Sequence, residues 1–263
     1  MKMSGFPIQY TALWRRSDRQ MAEYGFRAIN DFGSVTISSA YKVLVFSERG
    51  TYQVNSQYTD RGGEGSVSFS KTITTIEAPQ VFVRVAAASH ANLGVYVSMV
   101  GSPGNWTGFR TFSAAPGSSP LQNFTLEYVA CKFADSVQAT GYGMNIRDAN
   151  GVPVFSAQDK VVRYSKFATS WTMVTNADDY RVFTPNVTIE ADDFICVSAF
   201  DRGLNWATGN SQFSAFNIWL NWAPNLNTYV QRITALGYWY WQGTNDTNFT
   251  VPVCKFPASR YTN

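Results

Sequence analysis

A single histidine, His90, stands beside Ser89 in a small polar stretch, and it bounds the catalysis open to this chain. Any site needing two imidazole ligands is excluded. A Ser-His-Asp set would have to use His90, yet no Gly-x-Ser-x-Gly turn accompanies it. Acidic pairs occur at Asp178-Asp179 and Asp192-Asp193. Adjacent residues on a strand face opposite sides, whereas paired-carboxylate hydrolysis needs two groups converging across a cleft. Asp148, Asn150 and Gly151 faintly resemble a calcium loop but lack the full ligand spacing and the terminal Glu. No Gly loop that would cradle phosphate and no Cys/His metal spacing is present. These residues predict a protein that is not an enzyme and carries neither metal nor cofactor.

Binding chemistry is better supplied. Trp206, Trp219, Trp222, Trp239 and Trp241 crowd the C-terminal part of the chain, with Tyr229, Tyr238 and Tyr240 among them. Tyr238, Trp239, Tyr240 and Trp241 alternate, so on a strand one pair faces inward and the other outward. Two readings follow: a heavy core with a subunit interface, where Trp and Tyr are enriched, or a platform on which sugar rings stack.

The elements that must position these residues are strands. From Tyr142 to Tyr164 the chain reads as a hairpin: Tyr142, Met144 and Ile146 alternate with Gly143 and Asn145. Asp148-Ala149-Asn150-Gly151 supplies turn chemistry, and Val152, Val154 and Phe155 resume the strand. The same text stands earlier. Tyr24 to Ser38 lies over Tyr142 to Ser156 without a gap at a shift of 118, with Gly33 over Gly151, and the match runs on through Lys42/Lys160, Val43/Val161, Phe46/Tyr164 and Ser47/Ser165. Thr75-Ile76-Glu77-Ala78 recurs as Thr188-Ile189-Glu190-Ala191, Asn123-Phe124-Thr125 as Asn248-Phe249-Thr250, and Cys131-Lys132-Phe133 as Cys254-Lys255-Phe256. Four blocks in one order imply a tandem duplication.

Short strands with turn signals between them, and no sustained helical periodicity, predict an all-β protein: two tandem duplicated antiparallel β-sandwich domains. The expected divisions are an N-terminal arm over 1–20, a first sandwich over 21–137 and a second over 138–263. Within the arm, Ile8 to Trp14 suits a short strand and Arg15 to Arg19 a basic link. It is either a solvated connector or a docking arm that adds a strand to a neighbouring subunit.

The net charge of +3 is too small and too scattered to argue for nucleic acid. Cys131 and Cys254 occupy equivalent places in the repeats and Cys196 aligns with Val83, so all three are expected as buried thiols. Met1 to Tyr10 lacks the apolar core of a signal peptide, and no run is long enough to span a bilayer. The expectation is synthesis in a cytoplasm and no membrane insertion.

The pattern Tyr-Gly-x-x-Ile-x-Asp-x-x-Gly-x-x-x-Phe-Ser resembles a family of bacteriophage tail-tip and baseplate proteins. Tyr142, Gly143, Ile146, Asp148, Gly151, Phe155 and Ser156 match its signature, and Tyr24, Gly25, Asn30, Gly33, Ile37 and Ser38 match more loosely. The Asp expected after the Phe is absent from both copies. The resemblance spans about 24 residues of each repeat. It implies a structural virion protein of the tail, partnered by other tail or baseplate proteins and by further copies of itself in a symmetric ring. The alternative is a module contacting a host-surface glycan through the second repeat's aromatics.

Overall fold

The computed structural model describes residues 27–29, 35–38, 41–58, 62–88, 94–114, 123–136, 143–176, 180–200, 205–207, 210–212, 214–219, 225–231 and 250–263. The N-terminal arm, Gly33, His90 and Asp178-Asp179 lie outside them. The described elements are strands apart from one 3-10 turn, Val197–Phe200. In chain order they are β1 (Arg27–Ile29), β2 (Val35–Ser38), β3 (Leu44–Tyr58), β4 (Gly62–Ile73), β5 (Gln80–Ala88), β6 (Gly94–Ser102), β7 (Asn105–Ala114), β8 (Phe124–Phe133), β9 (Asn145–Arg147) and β10 (Pro153–Ser156). Then come β11 (Tyr164–Ala168), β12 (Trp171–Asn176), β13 (Tyr180–Pro185), β14 (Asp193–Cys196), β15 (Asn205–Ala207), β16 (Asn210–Gln212), β17 (Ser214–Trp219), β18 (Asn225–Gln231) and β19 (Val251–Lys255). The fold is all-β, and no described helix is long and apolar enough to cross a membrane.

The chain forms two compact units, each drawing on both sequence halves: one takes 1–45 and 133–162, the other 46–132 and 163–263. The smaller unit holds two hairpins, β1-β2 and β9-β10. Arg27↔Ser38, Ala28↔Ile37 and Ile29↔Val35 in the first correspond at the 118-residue shift to Asn145↔Ser156, Ile146↔Phe155 and Arg147↔Pro153 in the second. Even the irregularity in register falls at the same place.

The β9-β10 turn follows from its residues. The Asp148 carboxylate accepts from the backbone N–H of Asn150 at 2.9 Å and of Val152 at 2.8 Å. Gly151 adopts φ +79°, open to glycine at little cost. Gly143 is small for a different reason: a Cβ there would lie 2.7 Å from that of Ala157, whose N–H bonds the Met144 carbonyl. Ile146, Val154 and Val162 turn inward and are buried.

The larger unit is built on a thirteen-stranded order among the described residues, β11-β19-β14-β5-β8-β3-β4-β7-β6-β17-β18-β13-β12, in which β11 through β8 and β3 through β12 pair antiparallel with their neighbours. Its two end strands, β11 and β12, are separated along the chain only by Thr169 and Ser170. Before residue 137 the order holds the β3-β4 and β6-β7 hairpins and the β5-β8 pair; after it come the pairs β12-β13, β17-β18 and β14-β19.

Two sandwiches in series would each close on itself. Here β5 pairs with β14, through Val83↔Ile195 and Phe82↔Cys196, and β6 with β17, through Val95↔Phe216 and Gly94↔Asn217. The physical reason is edge satisfaction. A six-strand half leaves two rows of unpaired backbone groups, and the other half supplies the partners.

Alternation fixes the two faces. Val81, Val83 and Val85 of β5, Leu126, Tyr128 and Ala130 of β8, Tyr52 and Val54 of β3, and Ile195, Val251 and Val253 share one core. Phe109 meets Tyr52 and Tyr128 edge-on, at 5.4 Å from each. Buried Glu48 accepts from the Tyr128 hydroxyl at 2.7 Å and from the Ser70 N–H and hydroxyl at 2.8 and 2.6 Å. Those three bonds satisfy a group otherwise costly to bury.

Candidate functional site

On the opposite face of the β19-β14-β5-β8 stretch, alternation brings out Phe82 and Phe194, and the chain's last residues fold back over them. Phe256 lies edge-on to Phe82 at 5.2 Å and to Phe194 at 5.4 Å. Tyr261, 1% exposed, meets Phe256 edge-on at 5.1 Å and Phe46 at a tilt at 5.8 Å. The strap 257–263 is fixed by polar bonds as well. The Arg49 guanidinium donates to the carbonyls of Phe256 at 3.2 Å and Tyr261 at 3.1 Å. The Asn263 side-chain amide donates to the Arg49 carbonyl at 2.9 Å and accepts from its N–H at 2.8 Å, as a neighbouring strand would.

Arg49 is itself held by Glu127, which it meets through a charge-assisted bond. Arg84 donates to the other Glu127 oxygen, Nε at 2.7 Å, and lies 4.9 Å over the Phe194 ring. Partial burial pushes the Glu127 carboxyl upward, but the bonds from Arg49 and then Arg84 outweigh it and hold the group below the ordinary carboxylate value.

A second charged cluster lies at one end of β11, β14 and β19. Lys166 donates to Asp193 Oδ2 at 2.6 Å and to the Thr188 carbonyl at 2.9 Å, while Lys255 bonds Glu190 and Asp192, the latter at 2.7 Å. Glu190, Asp192 and Asp193 bring one carboxylate oxygen each within 4.8 Å of one another. The lysines already supply the cations: the hydrogen bond from Lys255 is the leading cause that lowers the Glu190 and Asp192 carboxyls. The cluster is an ion-pair network, and only Asp193 in it is buried.

The three cysteines are free and buried, as the sequence suggested. Burial is the main cause that raises the thiols of Cys131 and Cys254, the latter to about 12, and the neighbouring thiols add to it. Such groups are protonated and unreactive at neutral pH.

The tryptophan platform falls largely outside the described residues. Trp206 sits in β15, opposite Ser211 of β16, and Trp219 ends β17, opposite Asn225 of β18. Trp222, Tyr238, Trp239, Tyr240 and Trp241 lie outside. Asp148, Asn150 and Gly151 form the turn already described, with the Asp148 carboxylate occupied by backbone N–H groups. Sequence reasoning missed Arg49, Arg84, Glu127 and Tyr261. The echo of Cys131-Lys132-Phe133 in Cys254-Lys255-Phe256 marked Phe256, but nothing in it shows that the following residues turn back over the sheet.

No protein-family model matches the chain, and neither a curated protein nor a solved structure shows significant similarity to it.

Proposed function

We propose that the chain is a structural component of a bacteriophage tail tip or baseplate. One β module was duplicated to make it, and it packs against neighbouring tail subunits and further copies of itself. The observation that carries the reading is the pair of hairpins with one register at a shift of 118, bearing the tail-family signature in the second copy. The duplicated pairing of the larger unit supports a common module, since two copies joined through like edges reproduce the self-complementary contact of a twofold dimer. Large apolar side chains left exposed, among them Tyr41 at 76%, Ile76 at 68%, Phe167 at 45% and Met144 at 43%, suit a protein that gains cover on assembly.

Sedimentation of the purified chain across a concentration series, then imaging of purified particles with a tag on one hairpin, tests the proposal. Concentration-dependent oligomers and a tag on the tail are expected. A strict monomer absent from the particle would refute it.

The crowding of tryptophan in the second repeat favours a second reading, attachment to a host-surface glycan. In that case polysaccharide quenches Trp fluorescence and Trp239→Ala or Trp241→Ala removes the response. Silence across a glycan panel ends this reading.

A further inference from the structure

The outer face of the larger unit carries one arrangement twice, and among the described residues only one copy is covered. Phe46 and Arg49, three residues apart on β3, both hold the C-terminal strap: Phe46 by its ring against Tyr261, Arg49 by its bonds to the strap's carbonyls. At the 118-residue shift their counterparts are Tyr164 and Phe167 on β11. These also share a face. The β11-β19 register shifts between Tyr164 and Lys166, so that Ser165 is taken up as a bulge. Residues three apart then point the same way, and the two rings stand 5.1 Å apart at 37°. Between them Lys166 turns to Asp193, as Glu48 turns to Tyr128 between Phe46 and Arg49.

The two places differ in cover and in charge. Tyr261 closes over the first, whereas Tyr164 is 40% and Phe167 45% exposed. Arg49, with its Glu127 partner, is replaced by the apolar Phe167. The first seat therefore grips backbone carbonyls as well as a ring, and the second offers rings alone.

We propose that Tyr164 and Phe167 form a second seat, which takes a turned peptide segment of another protein presenting an aromatic side chain, as the turn in 257–263 presents Tyr261 to the first. The occupant follows from the equivalent position, where the structure shows what such a surface accepts. Apolar contact without a guanidinium clamp makes this a modest, exchangeable interaction in which the anchor ring supplies most of the affinity. The seat does not depend on the protein residing in a tail. A chain that binds such a peptide but never enters a particle keeps the seat and loses the assembly reading.

The test uses the full chain and a fluorescent nonapeptide with the sequence of residues 255–263, followed by anisotropy. Saturable one-to-one binding is expected. Replacing the tyrosine of the peptide by alanine, or Phe167→Ser in the protein, weakens it by about tenfold or more, and Phe167→Tyr restores it. The Phe167→Ser chain keeps the wild-type unfolding temperature, since the side chain is half exposed. Absence of saturable binding, or equal binding by wild type and Phe167→Ser, would overturn the proposal. Self-association of the chain abolished by Phe167→Ser, or an oligosaccharide held at Phe167, would overturn the choice of partner.

Discussion

Tyr261→Ala tests how the strap is held. The ring is 1% exposed, rests on Phe256 and Phe46, and has the Arg260 guanidinium 5.5 Å from its centre. Truncating a buried aromatic side chain in a fixed core costs about 3–5 kcal/mol. Residues 257–263 form no strand of the sheet, however, and can detach as a unit. The loss is therefore capped by the strap's own docking free energy: that ring plus the hydrogen bonds of Arg49 and Asn263, each worth about 1 kcal/mol net.

We expect a loss of about 3 kcal/mol in urea unfolding, and a drop in melting temperature of roughly 6–12 °C for a unit of this size. A chain ending at Phe256 sets the ceiling, which Tyr261→Ala should approach without passing. Amide hydrogen exchange over 257–263, slow in the wild type, should become fast in the variant. A loss below about 1 kcal/mol with 257–263 still protected would refute the reasoning, because Tyr261 would then not be what holds the strap.

Three further outcomes follow from the geometry. Glu127 has its folded-state pKa depressed, so its contribution is complete above the unfolded value of about 4.3 and is lost as pH falls through the folded value. Wild type minus Glu127→Gln, compared by denaturant unfolding from pH 7 to pH 3, should therefore shrink on acidification, and a constant difference would contradict the Arg49-Glu127-Arg84 assignment. Gly151→Ala should destabilise by about 1–2 kcal/mol through backbone strain alone, because φ is +79° yet nothing lies within 4 Å of the added Cβ; Gly151→Asn should recover part of it in thermal melts. Cys131, Cys196 and Cys254 should stay silent toward Ellman's reagent at pH 8 and all react on unfolding, while rapid labelling in the native state would show an open sheet.

Local chemistry was the legible part of this chain. The Asp148-to-Gly151 turn, the strands around Val83 and Met99, and the Gly101-to-Gly104 break between β6 and β7 follow from alternation and turn residues. The β1-β2 and β9-β10 hairpins agree pair for pair because a hairpin's register is set by its own turn. Phase was harder to read. Equating Thr75-Ile76-Glu77-Ala78 with Thr188-Ile189-Glu190-Ala191 aligns Val83 with Cys196, yet Val83 faces the core opposite Ile195 while Cys196 stands opposite Phe82. Ile76 is 68% exposed and Ile189 4%. One residue of slip turns every side chain over, and identical letters in a loop cannot report it. The β5-β14 and β6-β17 contacts were beyond reach for another reason: edge pairing is backbone bonding, and it leaves no residue-type signature.

Those same contacts bear on how the chain is made. While the first half has left the ribosome and the second has not, β5 and β6 pair with β8 and β7 but each keeps one edge with nothing to bond. At ordinary translation speeds that interval lasts on the order of ten seconds. Nascent chains on one polysome would meet with matching bare flanks, so growth temperature and chaperone supply should govern the yield of active product more than the stability of the finished molecule does.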